Sequence, residues 1–590
     1  MSSHSEYVFY QLENIKDVDI PKTFEEIFKF PEGELSFQQD IKSTFHYRYF
    51  ANYLFYDDNG LKIKTIVVEK NYTCLTFLED YINYYAHCYT KYEKSCRRIH
   101  LFYENFDKTT FQNMLCSESE EQYSKFWESY SGCIVIKPLP TGIIGVTYLK
   151  TYKGDEKRNR YYTAISSQKI NLYGTSRKID TMPFIEQDRR VSSCASAALW
   201  MAFQKTSEIF HTRKTSPSEI TLLAGFDSNN TGKIFPSKGL AIDQICKAIY
   251  NNGLHSELRS EAIYNNGLHS ELRSGKKIID RSLLQGFVYA YLKAEIPILL
   301  GIEIESSGGG SHLITLNGYR FKFDNEKITQ KNDYKSQLIS KFYAHDDQTG
   351  PFSRLKFNKE NSEYFLRTSW WKKNVDWNKS LQEIKEYFKE ENNYYNCKPT
   401  CLIVPLDRKI KVSYEEIIDK VKIIKYLFFT LLLDSNFIWD IFLIKSNTYK
   451  EQIKKQVTHK DNLHKLLCES LPQYIWVVQA YPYECQKEPT FDFIFDSVEM
   501  PYDGKPFLTN IYSESFKNCL PFVDTEIQDL FSKDIEKNTE ESVVNTAYEI
   551  FTRDRDRQQI EDKTVNDLND VMKGIISNII QTVEWKNGRK

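Results

Sequence analysis

Between residues 193 and 405 the chain reads as helices first and strands afterwards, and that order narrows its folding options most. Ala195, Ala197, Ala198, Leu199, Met201 and Ala202 mark a helix over 193–205. Ser216, Pro217 and Glu219 form a helix start, with a capping hydroxyl, proline in the first turn and an acid three residues on. Ile242, Ile245 and Ile249 recur at helical spacing over 241–250, and Gly253 sits where a C-terminal cap belongs. A further helix is expected over 281–295. Apolar runs at 297–304, 312–316, 341–345 and 401–405 then read as strands. The expected fold class is α+β, a helix packed on a largely antiparallel sheet.

The flanks differ in texture. Residues 1–178 mix helix and strand signals: an aromatic helical stretch at 75–92, then β segments at 133–138 and 143–152 around a Pro140–Gly142 turn. This reads as an N-terminal mixed α/β accessory domain, with the polar stretch 175–180 as its boundary. The central domain spans 179–410. Residues 411–590 read as mostly helical, with helices at 414–433, 446–467 and 565–585 and a strand at 474–479. Inside the central domain, 247–260 and 261–274 are near-identical copies (KAIYNNGLHSELRS and EAIYNNGLHSELRS). Two such short units cannot make a solenoid, so the duplicated insert 247–274 is expected to be a surface insertion. Its paired copies His255 and His269 are poor catalytic candidates.

Composition removes several function classes. With 40 Tyr, 38 Phe and 8 Trp against only 23 Gly, the chain can bury large cores. Lys and Arg number 78 and Asp and Glu 80, so no net field attracts nucleic acid or an anionic membrane. No uncharged run reaches the ~18 residues of a spanning helix, and the start lacks a signal-peptide plan. A cytoplasmic protein is expected, its 12 Cys being reduced thiols. Phosphate-binding glycine loops, dinucleotide fingerprints and His-Glu-x-x-His are absent from the sequence. Cys397 with Cys401, and His87 and Cys88 with Cys96 and His100, fit no zinc module. No metal and no cofactor are expected, and Trp370-Trp371 reads as packing.

Three segments carry chemistry. Gln187-Asp-Arg-Arg-Val-Ser-Ser-Cys194 places a thiol where a small-residue helix opens, at unsatisfied N–H groups and a partial positive charge. Gly308-Gly-Gly-Ser-His312 delivers an imidazole to the first position of a strand. Tyr343-Ala-His-Asp346-Asp347 ends another strand in two carboxylates, either of which could fix the tautomer of His312.

In the order Cys, His, Asp, these segments resemble the papain-like cysteine peptidases. They are most similar to the bacterial branch related to leader peptidases that process double-glycine bacteriocin precursors. The resemblance covers about residues 180–350. It implies a papain-like fold, with Cys194 as nucleophile, His312 as general base and acid, and Asp346 as orienter with Asp347 as alternate. Gln187 would be an oxyanion donor beside the backbone N–H of Cys194. The implied function is a cysteine peptidase or related amide hydrolase acting on a protein or peptide, regulated or targeted by its flanks. Two rivals keep the same residues: a transglutaminase-like acyltransferase, and a catalytically silent scaffold or sensor.

Overall fold

The structure, a computed structural model, describes residues 7–12, 20–28, 44–117, 124–152, 159–225, 235, 239–260, 279–305, 311–322, 333–358, 363–431, 437–456, 463–464, 467–482, 489–499 and 508–511. The chain divides into two compact units. The first holds 1–281, 295–322 and 340–407, and the second holds 282–294, 323–339 and 408–590. The expected helix at 565–585, the second copy of the repeat and the Gly308–Gly310 run lie outside the described residues.

In the first unit, strands β1 (Tyr7–Gln11), β2 (Thr65–Tyr72), β3 (Cys96–Phe102), β4 (Tyr130–Ile136) and β5 (Ile144–Leu149) form an antiparallel sheet in chain order. The expected β segments around Pro140 are β4 and β5. At their turn Gly142 has φ +64°, and a Cβ there would lie 2.5 Å from Asp188 Cα and 2.6 Å from Gln187 O. Glycine alone lets this turn press against the backbone that precedes Cys194. The 75–92 stretch is helical only over Leu75–Asn83, followed by a short 3-10 turn at Tyr85–His87. The polar stretch expected as a boundary is a strand. Past β6 (Arg160–Tyr162), β7 (Ser166–Leu172) and β8 (Thr175–Thr181) make a hairpin turning on Tyr173 and Gly174, both at positive φ.

The helices that follow agree with their caps. Cys194–Phe210 begins at Ser193, whose N–H donates to Ser196 Oγ at 2.7 Å. Pro217–Ala224 is capped by Ser216 Oγ, which accepts from the Glu219 N–H at 3.3 Å. The first copy of the repeat is no surface insertion. It finishes the helix Ile242–Asn251 and then forms β9 (His255–Ser260), paired with a core strand.

The strands between 298 and 406 depart from expectation. They are β10 (Ile298–Ile304), β11 (Ser311–Phe321), β12 (Ile339–Asp346), β13 (Gly350–Phe357), β14 (Leu366–Trp371) and β15 (Tyr394–Leu406), adjacent in that order. β15 then returns to β10, with Leu299 opposite Ile403 and Leu300 opposite Leu402, and closes a six-stranded antiparallel barrel. This overturns the expected papain-like α+β fold of a helix on an open sheet. Closure satisfies both edges of the sheet with backbone hydrogen bonds, an outcome that strand periodicity cannot reveal. Crowding at the seam is met by a register shift after Gly301, where a Cβ would lie 2.5 Å from Cys401 Sγ.

The Cys194 helix lies against this barrel. Ala195, Ala197, Ala198 and Ala202 are buried, and Thr315 Oγ1 on β11 donates to the Ala198 carbonyl at 2.8 Å. Small side chains permit the close approach, and the threonine bond ties the helix to the strand that carries His312.

The second unit corrects the expectation of a mostly helical C-terminal region. Its described part contains a four-stranded antiparallel sheet, β16 (Phe437–Lys445), β17 (Tyr474–Pro482), β18 (Phe491–Asp496) and β19 (Leu508–Ile511), as well as helices Tyr414–Leu431 and Ser446–Gln456. Trp476 is fully buried on β17 and donates its indole N–H to the Val412 carbonyl at 3.0 Å. None of the described helices in the chain is long and apolar enough to cross a membrane.

Gly142→Ala is expected to lower stability by about 2–3 kcal/mol, because a left-handed backbone and a backbone collision add. Gly174→Ala, also at positive φ but with nothing near its Cβ, is expected to cost only about 1 kcal/mol. Urea unfolding of both variants measures the gap. Equal losses would show that the turn does not press on residues 187–188.

Candidate active site

The nucleophile candidate comes first. Cys194 opens a 17-residue helix and is partly exposed. The first N–H groups of such a helix have no intrahelical acceptor and favour negative charge. The loop before it is organised by Asp188, which the sequence analysis passed over. Its buried Oδ1 accepts from the N–H groups of Arg190, Val191 and Ser192 at 3.0, 2.8 and 2.9 Å. Its Oδ2 accepts from the Tyr85 hydroxyl at 2.7 Å. Thr221 Oγ1 holds the Val191 carbonyl at 3.0 Å. The backbone leading into Cys194 is therefore fixed by side chains from three directions.

β11 and β12 are neighbours in the barrel, so their side chains meet. His312 is buried on β11, and its Nε2–H donates to Asp346 Oδ1 on β12 at 2.8 Å. The Cys194 side chain lies near enough to His312 to help raise the imidazole pKa. Because Nε2 is committed to Asp346, Nδ1 is the ring nitrogen that serves the thiol. Burial alone would depress the imidazole pKa, but Asp346, then Asp347, the bond to Asp346 and the nearby Cys194 hold it well above the ordinary value. These groups thus favour the protonated ring over the neutral one.

The two carboxylates are not equivalent. Burial raises Asp346, but His312, the Trp370 indole N–H at 2.7 Å and the Gln348 backbone N–H at 3.0 Å outweigh it and hold Asp346 below the usual carboxylate range. Asp347 is pushed up to about 6, first by burial and further by Asp346, against His312 and Gln348. Its Oδ1 is 3.5 Å from His312 Nε2.

Trp370, read from sequence as packing, is a structural partner of the site. Its ring centroid is 5.2 Å from that of His312 at 62°, and Phe45 lies 5.4 Å beyond. The only sequence signal was a tandem Trp downstream of the Asp pair. His46 also went unnoticed. Its Nε2 hydrogen-bonds to the Asp347 carbonyl at 2.6 Å, and its Nδ1 is 3.4 Å from Glu186 Oε1.

The structure therefore brings Cys194, His312, Asp346 and Asp347 together. Gln187 lies in the ordered turn before Cys194, but its side-chain amide has no hydrogen-bond partner among the described residues. His345, next to Asp346 in sequence, is held away from the site between the Met182 carbonyl at Nε2 and Asn317 at Nδ1, and burial lowers it to about 4. Cys397 and Cys401 are buried on β15, where burial raises both thiols. His100 is buried against the Tyr130 hydroxyl at 2.8 Å.

His312, Asp346 and Asp347 could also present ligand atoms to a cation, since these lie within 4.8 Å of one another. Asp347 Oδ1, buried with no hydrogen-bond partner, suits such a role. The His312–Asp346 bond opposes it, because Nε2 cannot donate a proton and a metal-binding lone pair at once. Comparison of the chain with protein-family models, curated proteins and solved structures gives no match.

The nucleophile loop supplies a pH test. Asp80 is buried, accepts from the Ser218 N–H at 2.9 Å, and is raised to about 7 by burial and then by Asp188. Its raised folded pKa makes its contribution to stability complete below the usual carboxylate range and lost as pH rises to about 7. Asp80→Asn keeps the acceptor and removes the charge. Between pH about 4 and about 7 the variant is expected to lose less stability than the wild type, by a few kcal/mol at most. Parallel pH profiles of unfolding would contradict this.

Proposed function

We propose that the protein is a cysteine-dependent amide hydrolase acting on a protein or peptide, with Cys194 as nucleophile and His312 as its acid–base partner. The observation that carries this reading is the linked set Cys194–His312–Asp346, placed at a helix N-terminus. The relationship to cysteine peptidases is retained for the site alone, since the barrel excludes the papain-like fold as its source.

In this mechanism the imidazolium of His312 stabilises a sulfur anion at Cys194, which attacks the substrate carbonyl. The Cys194 backbone N–H, and the Gln187 amide once turned toward it, hold the oxyanion. His312 Nδ1–H protonates the leaving amine, then takes a proton from the water that releases the acyl group. Asp346 keeps the ring aligned and Trp370 keeps Asp346 ionised. Transfer to an amine in place of water uses the same groups, and amine-dependent product formation distinguishes it. The rival of a divalent cation on His312, Asp346 and Asp347 rests on the unpartnered Asp347 Oδ1.

Peptide-mapped alkylation tests the reading, with the exposed thiols Cys116 and Cys468 as internal references. Cys194 is expected to react several-fold faster than the references in mildly acidic buffer. His312→Ala is expected to abolish this advantage, and EDTA to leave it unchanged. A Cys194 rate that tracks the references would overturn the nucleophile assignment, and loss with EDTA would favour the cation. Trp370→Phe, which removes one of three donors to Asp346, is expected to reduce the rate several-fold and to raise the acid limb of its pH profile. An unchanged acid limb would reduce Trp370 to packing.

A further inference from the structure

Away from the triad, the first unit contains a cavity of about 310 Å³ between β12, β13, β14 and the helix Leu381–Lys389. Six basic side chains line it: Lys341, Arg354, Lys356, Arg367, Lys385 and Lys389. The lining acids are Asp57, Asp58 and Glu391, so basic groups outnumber acidic ones by three. Asp57 pairs with Arg354 at 2.8 Å, and Glu391 is shared between Arg367, at 2.8 Å, and Lys356. Lys341 and Lys385 have no carboxylate within ion-pair distance among the described residues. Arg354 Nε and Nη2 are buried without a hydrogen-bond partner, the guanidinium lying 4.0 Å over the Tyr152 ring.

Like charges converging in a cavity are unfavourable unless an anion joins them, and an unpartnered guanidinium fork matches the oxygens of phosphate. We infer that this cavity binds a small, multiply charged oxyanion of the phosphate–pyrophosphate class. The cavity is lined by Trp371 while its neighbour Trp370 holds Asp346, so the site is separate from the triad though carried on the same strand. Lys341 is lowered to about 7 by burial and by the facing cations Arg354, Arg320, Lys356 and Arg160.

The test is isothermal titration of the full chain with inorganic phosphate, pyrophosphate and sulfate near pH 7.5, in two buffers of different ionisation enthalpy. Pyrophosphate is expected to bind more tightly than phosphate, with net proton uptake as Lys341 regains its charge. Lys341→Gln is expected to weaken binding about tenfold and abolish the uptake. Lys385→Glu, on the partly exposed rim, is expected to weaken binding similarly without altering folding, so it decides the matter if Lys341→Gln destabilises the chain. No binding of pyrophosphate, or binding unchanged in both variants, would overturn the inference. Equal affinity for pyrophosphate and sulfate, lost together as salt rises, would do so too, since that is general charge attraction.

Discussion

The hydrogen bond from His312 Nε2 to Asp346 Oδ1 joins neighbouring barrel strands inside a buried setting, and the rest of the site depends on it. It fixes which ring nitrogen faces Cys194. It also favours the protonated ring, against burial, which alone would lower the imidazole pKa. A buried charge pair of this kind is costly unless its remaining valences are met. Here Trp370 and Gln348 meet those of Asp346. The barrel supplies the rigidity: β12 ends at Asp346 and His312 is the second residue of β11, so two adjacent strands place both groups.

The neighbouring Asp347 shows how finely burial divides like groups. One residue from Asp346, it lacks the indole and retains an unpartnered oxygen, so its proton is held up to about 6. His46, bridging the Asp347 carbonyl and Glu186, carries the constraint outward from the barrel toward the loop that ends at Cys194. Asp188 and Gly142 complete that loop, one by gathering backbone N–H groups and the other by yielding space.

Local signals were legible in the sequence. The cap at Ser216, the small-residue helix after Cys194 and the β4–β5 turn follow from propensity and short-range chemistry. The clustering of Cys194, His312 and Asp346 was legible too, because each sits at or next to an element end. Barrel closure was not legible. It depends on Leu299 meeting Ile403, a pairing of residues remote in sequence whose periodicity is the same in an open sheet. The repeat misled for a related reason: duplicated sequence suggested an insertion, yet its first copy is a paired strand. Trp370 and His46 were missed because their roles arise from distant contacts with Asp346 and Asp347.

The most direct test of the account is the protonation state of His312. Nitrogen NMR of protein labelled only at its 11 histidines, assigned with His312→Gln, reads the ring charge without requiring a substrate. The account predicts an imidazolium at neutral pH that loses its proton only well above the usual histidine range, and that reverts toward a neutral ring in Asp346→Asn. A His312 signal titrating near 6.5 in the wild type, or one indifferent to Asp346→Asn, would contradict it.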